Sequence, residues 1–151
     1  MSVSDITGLP IFEVFSNDRI VMGRYGANAL VVSGSDTIIS GSLTVDGPTI
    51  VKFNRITSSY TLALVDAGKM LEVSSSAAAT LTIPPDSSVN FMIGTNIDVV
   101  QYATSSVSIV TGSGVTLRSS NNWNKINGRY GAASLVKSAA NDRYLFGNLS
   151  A

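Results

Sequence analysis

The run Thr80-Leu81-Thr82-Ile83-Pro84-Pro85-Asp86 sets apolar side chains at Leu81 and Ile83, hydroxyls at Thr80 and Thr82, and then stops on two prolines and an aspartate. Successive side chains of an extended chain point to opposite sides, so an alternation of period two marks a strand that buries one face. The prolines lack a backbone N–H and end the ladder. Val107-Ser108-Ile109-Val110 and Val115-Thr116-Leu117 repeat the pattern. Asn17-Asp18, Gly34-Ser35-Asp36, Asp46-Gly47-Pro48, Asp66-Ala67-Gly68, Gly112-Ser113-Gly114, Asn127-Gly128 and Asn141-Asp142 supply turns between such runs. No capped segment holds a helical period, and Ala77-Ala78-Ala79 is too short to nucleate a helix alone. Short strands closed by frequent turns predict an all-β chain, an antiparallel β-sandwich or jelly roll with an N-terminal β-rich arm.

Texture divides the chain in two. Residues 1–57 contain Ile38-Ile39-Ser40-Gly41-Ser42-Leu43-Thr44-Val45-Asp46-Gly47, where small residues break the apolar alternation into pieces too short to close a core. This part reads as an arm or oligomerisation module completed by neighbouring chains. Residues 58–151 carry longer alternations and are expected to fold as the sandwich domain, with Leu62, Leu64, Leu71, Val73, Leu81, Ile83, Ile97, Val99, Ile109 and Leu117 inside.

Composition removes much of the enzyme repertoire. The 151 residues include no Cys and no His, which excludes disulfides, thiol nucleophiles, imidazole acid–base chemistry and His/Cys metal sites. No catalytic residue, cofactor or metal is therefore assigned. Ten Lys and Arg balance ten Asp and Glu, and charged residues make up 13%. Nucleic-acid binding requires a concentrated basic face, and the densest cationic cluster is only Arg118, Lys125 and Arg129. A neutral chain with positive mean hydropathy has weak colloidal protection as a free monomer, so assembly with other chains is expected. The apolar runs are too short for a membrane-spanning helix, and Met1-Ser2-Val3-Ser4-Asp5 has no leader-like character, so neither membrane nor secretion is expected.

A few residues stand out. Ile11, Phe12, Val14 and Phe15, with Ile20, Val21 and Met22, are too apolar to lie bare and are expected to be buried by other chains of a homotrimer. Gly23-Arg24-Tyr25-Gly26-Ala27-Asn28-Ala29-Leu30-Val31 is matched at seven of nine positions by Gly128-Arg129-Tyr130-Gly131-Ala132-Ala133-Ser134-Leu135-Val136. The echo reads either as a glycine-flanked turn used twice or as a contact surface bearing Arg24 and Tyr25, residue types enriched at interfaces. Most acids fall at turns, where Asp bonds its own backbone; a glycosidase pair is thereby left without a motif. Asp98, inside Ile97-Asp98-Val99-Val100-Gln101-Tyr102, must face solvent, meet a partner or bind a ligand. Trp123, in the polar run Ser119-Ser120-Asn121-Asn122-Trp123-Asn124, either caps the end of the sheets or forms a surface ligand contact for a sugar or a protein.

Several stretches also carry a resemblance. Thr61 to Val73, Leu81 to Pro85, Gly94 to Gln101, Gly112 to Leu117, Ser134 to Lys137 and Tyr144 to Leu149 resemble a β-domain recurrent in tailed-bacteriophage structural proteins. Gly8 to Asp18 is similar to segments placed ahead of such domains in phage fibres and appendages, including those of cyanophages. The sequence departs from that pattern at Ser119 to Asn124, where the family is shorter and more basic, so no ligand site is carried over. The resemblance implies a virion structural protein, trimeric, assembled in the host cytoplasm and partnered by the major capsid protein or other virion proteins. Between its two forms, capsid decoration (a cement protein) and a short receptor-binding tail-fibre appendage, the shortness of the chain favours decoration, because a fibre needs a long shaft.

Overall fold

A computed structural model describes residues 45–151 in full and, ahead of them, the backbone of four strands: β1 (Ser2–Ser4), β2 (Pro10–Val14), β3 (Ile20–Arg24) and β4 (Ala27–Asn28). The chain divides into two compact units, Met1–Asp46 and Gly47–Ala151. In the first unit the four strands pair in chain order, each antiparallel to the next, with Phe12 opposite Met22 and Val14 opposite Ile20. Ile11, Phe12 and Val14 are strand positions of β2, and Arg24 ends β3. Their side chains, and Phe15 and Tyr25 altogether, lie outside the described residues.

The second unit holds eleven strands in two sheets. Strands β5 (Phe53–Ile56), β7 (Met70–Val73), β9 (Asn96–Gln101), β11 (Thr116–Ser119), β13 (Ala132–Ala139) and β14 (Asp142–Gly147) form a six-stranded sheet in the order β11-β14-β13-β9-β7-β5. Strands β6 (Tyr60–Thr61), β8 (Ala79–Ile83), β10 (Val107–Thr111), β12 (Lys125–Ile126) and β15 (Leu149–Ser150) form a five-stranded sheet in the order β15-β12-β10-β8-β6. From β5 to β13 each strand lies in the opposite sheet from the one before it. From β5 to β10 the chain is therefore coiled, and neighbours within each sheet over that stretch are successive turns of the coil running the same way. β5, β7 and β9 are mutually parallel, as are β6, β8 and β10. Parallel neighbours need a crossover of about a dozen residues or more, and here the crossover contains a strand of the other sheet.

The all-β expectation holds, whereas wholly antiparallel pairing does not. Antiparallel ladders occur in this unit at β9–β13, β13–β14, β10–β12 and β12–β15, and β11 runs parallel to β14. The reason is physical: a period of two reports which face of a strand is buried and is silent on the direction of its neighbour. The expected arm ended at residue 57, after β5; the compact units divide between Asp46 and Gly47, and β5 pairs with β7 of the second.

Burial alternates strictly along β7, β8 and β9. Leu62, Leu71, Val73, Leu81, Ile83, Ile97, Val99 and Ile109 enter one core cluster with Ile126, Leu135, Leu145 and Leu149. Each such side chain contributes roughly 1.5–3 kcal/mol relative to exposure. Leu117 is only partly buried against this cluster, and Leu64 is 59% exposed. Leu64 opens a 3₁₀ turn, Leu64–Asp66, that breaks the alternation and turns Asp66 inward instead. The Asp66 carboxylate accepts hydrogen bonds from the Ala63 N–H (2.8 Å), Asn54 Nδ2 (2.7 Å) and the Tyr60 hydroxyl (3.0 Å). It ties the crossover after β6 to both β5 and β6. Burial, and then the neighbouring carboxylate, push the Tyr60 phenol above its ordinary pKa.

Candidate functional site

The loop joining β11 to β12 builds the site around Trp123. Asn121 (φ 54°) and Asn122 (φ 57°) both occupy the left-handed region, which asparagine tolerates better than most residues. These two steps reverse the chain, and the Trp123 N–H donates to the Ser120 carbonyl at 3.1 Å. Asn124 then anchors the loop to β10: its carbonyl accepts from the Ile109 N–H at 2.7 Å, and its Nδ2 donates to the Ile109 carbonyl at 3.0 Å. The indole is thus placed by backbone geometry on either side of it.

Trp123 lines a cleft of about 380 Å³ with Ser120, Leu145, Phe146, Gly147 and Leu149. Leu145 and Leu149 belong to the core, while Trp123 is 38% and Phe146 51% exposed. The indole therefore shares a cleft with core side chains and also presents a surface. Phe146 stacks on Tyr144 with centroids 6.1 Å apart and planes 27° from parallel. Both rings occupy outward positions of β14, and Tyr144 stands opposite Arg118 of β11 in the ladder. Arg118 is held by Asp142, Nη2 to Oδ2 at 2.7 Å. The Arg118 hydrogen bond, helped by Ser138, holds the Asp142 carboxyl below its ordinary pKa, and Asp142 in turn raises that of the guanidinium. Chemically this is an aromatic platform beside a cation, suited to stacking on a flat apolar face and to polar contacts at its margin.

A second cluster lies at the turn Gly128-Arg129-Tyr130-Gly131, closed by the Gly131 N–H to the Gly128 carbonyl at 3.0 Å. Tyr130 (φ 63°) packs edge-on against Tyr102 at 6.0 Å, and the Arg129 guanidinium lies 4.6 Å from the Tyr130 ring centroid. This turn is the second copy of the sequence echo and feeds β13. In the first copy, Arg24 and Ala27 pair where β3 passes to β4. Asp98 faces outward on β9 and accepts from Asn96 Nδ2 (3.0 Å) and the Ser134 hydroxyl (2.6 Å).

Sequence reasoning passed over a third group. Asp86, read as a turn residue, accepts from Lys137 Nζ (2.7 Å), Arg143 Nη2 (2.8 Å) and the Asn141 N–H (3.0 Å). Lys137 and Arg143 occupy the same alternation phase as Leu135 and Leu145 and are buried with them. A cation in the core phase of a strand demands a carboxylate, and that was the legible signal. Among the described residues no three or more His, Cys, Asp or Glu side chains converge as a metal site, and no helix is long and apolar enough to cross a membrane. Comparison with family models, with curated proteins and with solved structures finds no match for this chain.

Proposed function

We propose that the chain is a structural component of a bacteriophage virion that decorates and cements the capsid as a homotrimeric knob, without covalent chemistry. The observation that carries this reading is the exposure of Ile50, Phe53, Leu64, Val65, Met92 and Ile93 on a chain of zero net charge. We read these bare apolar side chains as ones that other chains cover, since a chain without net charge has little else to keep them from associating. The resemblance in residues 58–151 supports a virion setting for those chains. In this reading the two-sheet unit is a sandwich-type knob and the N-terminal strands are the arm that neighbouring subunits complete. Trimeric valency multiplies modest contacts into stable occupancy. Deleting residues 1–22 tests it: capsid occupancy and the temperature at which particles release DNA should both fall, and the intact protein should sediment as a trimer at micromolar concentration. Saturation of capsids by the truncated chain would overturn the cement role.

The Trp123–Phe146 cleft favours a second reading, a short receptor-binding appendage with carbohydrate affinity. Particles lacking the protein would then keep their thermal stability and fail to adsorb to cells. Trp123 is the single tryptophan of the chain, so its emission would report oligosaccharide binding directly.

A further inference from the structure

The group around Asp86 carries more positive than negative charge. Lys137 and Arg143 are 4% and 1% exposed, and the one carboxylate bonded to both is Asp86. Arg143 Nη1 donates to the Ala139 and Asp142 carbonyls. Lys137 Nζ gives one hydrogen to Asp86 and a second to Asn90 Oδ1 at 3.0 Å. An ammonium has three, and among the described residues the third meets no acceptor.

Lys137 and Asp86 line a cavity of about 260 Å³ whose other walls are Asn90, Phe91, Met92, Ile93 and Ala140. Phe91 is buried, while Met92 and Ile93 are 79% and 69% exposed. Their exposure is built in. The Thr95 N–H bonds the Met92 carbonyl at 3.0 Å, closing a turn whose third residue is Gly94 at φ 89°, as a type II turn requires. The Gly94 N–H then bonds the Lys137 carbonyl at 2.8 Å, which pins this apolar ledge to the strand that carries the cation. One unspent ammonium hydrogen and an apolar rim meet at one small cavity, and Arg143, bonded to the same Asp86 from outside the lining, leaves the group net positive.

We propose that this cavity is a binding site for a carboxylate borne on a short aliphatic group, the carboxylate bonding Lys137 Nζ and the aliphatic part lying on Phe91, Met92 and Ile93. The cavity lies below the usual range of about 300–1,000 Å³ for drug-sized ligands, which fits a group of a few carbons. Such a carboxylate comes either from a free short-chain acid or from the C-terminus of a polypeptide ending in an apolar residue. Met92 and Ile93 are also among the side chains that the assembly reading places under other chains, so a ligand here would compete with that contact.

The test is an amide-resolved NMR titration of the full chain with butyrate, hexanoate, hexylamine, acetyl-leucyl-leucine and its C-terminal amide. Hexanoate should shift residues 90–94 and 137 and bind tighter than butyrate by about fourfold per added methylene. Hexylamine and the peptide amide should leave them unmoved. Tighter binding of the peptide acid than of hexanoate would identify the polypeptide source, and the reverse the free acid. Ile93→Asp, on the exposed rim, should abolish the shifts with an unchanged melting temperature, and so remains informative if Lys137→Met does not fold. Absence of shifts with both acids, or equal shifts with the peptide amide, overturns the proposal.

Discussion

Asp86 and Arg143 stand 57 positions apart in the chain and 2.8 Å apart in space. The contact joins the loop after β8 to the hairpin β13–β14, and Lys137 closes it from the other carboxylate oxygen. Asp86→Ala leaves two buried cations without their counter-ion, an error of a kind that costs about 3–5 kcal/mol. Urea unfolding of the variant should show a midpoint lowered accordingly, with little change of slope. Arg143→Met should cost less than Asp86→Ala, since it leaves Lys137 and Asp86 paired.

The same contact predicts acid sensitivity. Burial by itself would raise the Asp86 carboxyl, but hydrogen bonds from Lys137, Arg143 and the Asn141 N–H outweigh it and hold the group well below the usual carboxylate range. A carboxyl whose pKa falls on folding stabilises the fold in its ionised form. That stabilisation is complete above the unfolded value, about 3.9, and is lost as pH falls below it. Asp142 acts in the same direction through Arg118, but at the surface. Thermal unfolding should therefore hold steady from about pH 7 to 5 and drop below pH 4. High salt should diminish the exposed Asp142 part and spare that of Asp86. A flat profile down to pH 2 in the wild-type chain would contradict this account.

Gly147 (φ 142°) ends β14 where a Cβ would lie 2.4 Å from the Ala132 carbonyl oxygen and 2.6 Å from the Ala133 Cα. Backbone atoms of a paired strand cannot withdraw, so Gly147→Ala should destabilise by more than the roughly 1–3 kcal/mol of an unfavourable backbone conformation alone. Gly114 (φ 77°) has open space around its Cβ position. Gly114→Ala should carry only the backbone cost, and calorimetry on the two variants separates the terms.

Leu145 and Phe146 are chain neighbours that face opposite sides of β14. Leu145→Ala should cost about 2–5 kcal/mol, the range for an aliphatic side chain deleted from a core. Phe146→Ala should stay within about 0.5 kcal/mol, as exposed substitutions do, while shifting Trp123 emission to the red as the cleft opens. Equal effects on stability would mean that the alternation along β14 is misplaced.

The strands were legible because each buries one face: Leu71 and Val73, Leu81 and Ile83, Ile97 and Val99 announce it by spacing alone. Their directions were not, because the partner of β8 is chosen by where the chain travels between Ile83 and Val107. Leu64 was misplaced for a local reason, since Asp66 offers the Ala63 N–H and Asn54 a buried acceptor that outweighs one leucine contact. Trp123 was legible as an anomaly, a large ring in a polar run, but Phe146 across the cleft was not, because nothing in Tyr144-Leu145-Phe146 names the loop it meets. The platform and the Asp86 group exist only in three dimensions.

The coiled order of strands has a kinetic side. Until β13 turns back at Asn141 into β14, no strand of the second unit has its sequence neighbour as its ladder partner. A first turn of coil gains its hydrogen bonds only after the chain has travelled from β5 through β6 to β7, so entropy is spent well before contact rewards it. The β13–β14 hairpin can zip on its own, and it lies beside β9 and β11 in the finished sheet. Folding should thus begin near the C-terminal end and wind toward the N-terminal end. Stopped-flow measurements would show substitutions at Leu135 and Leu145 slowing folding, and those at Ile56 and Leu62 mainly hastening unfolding.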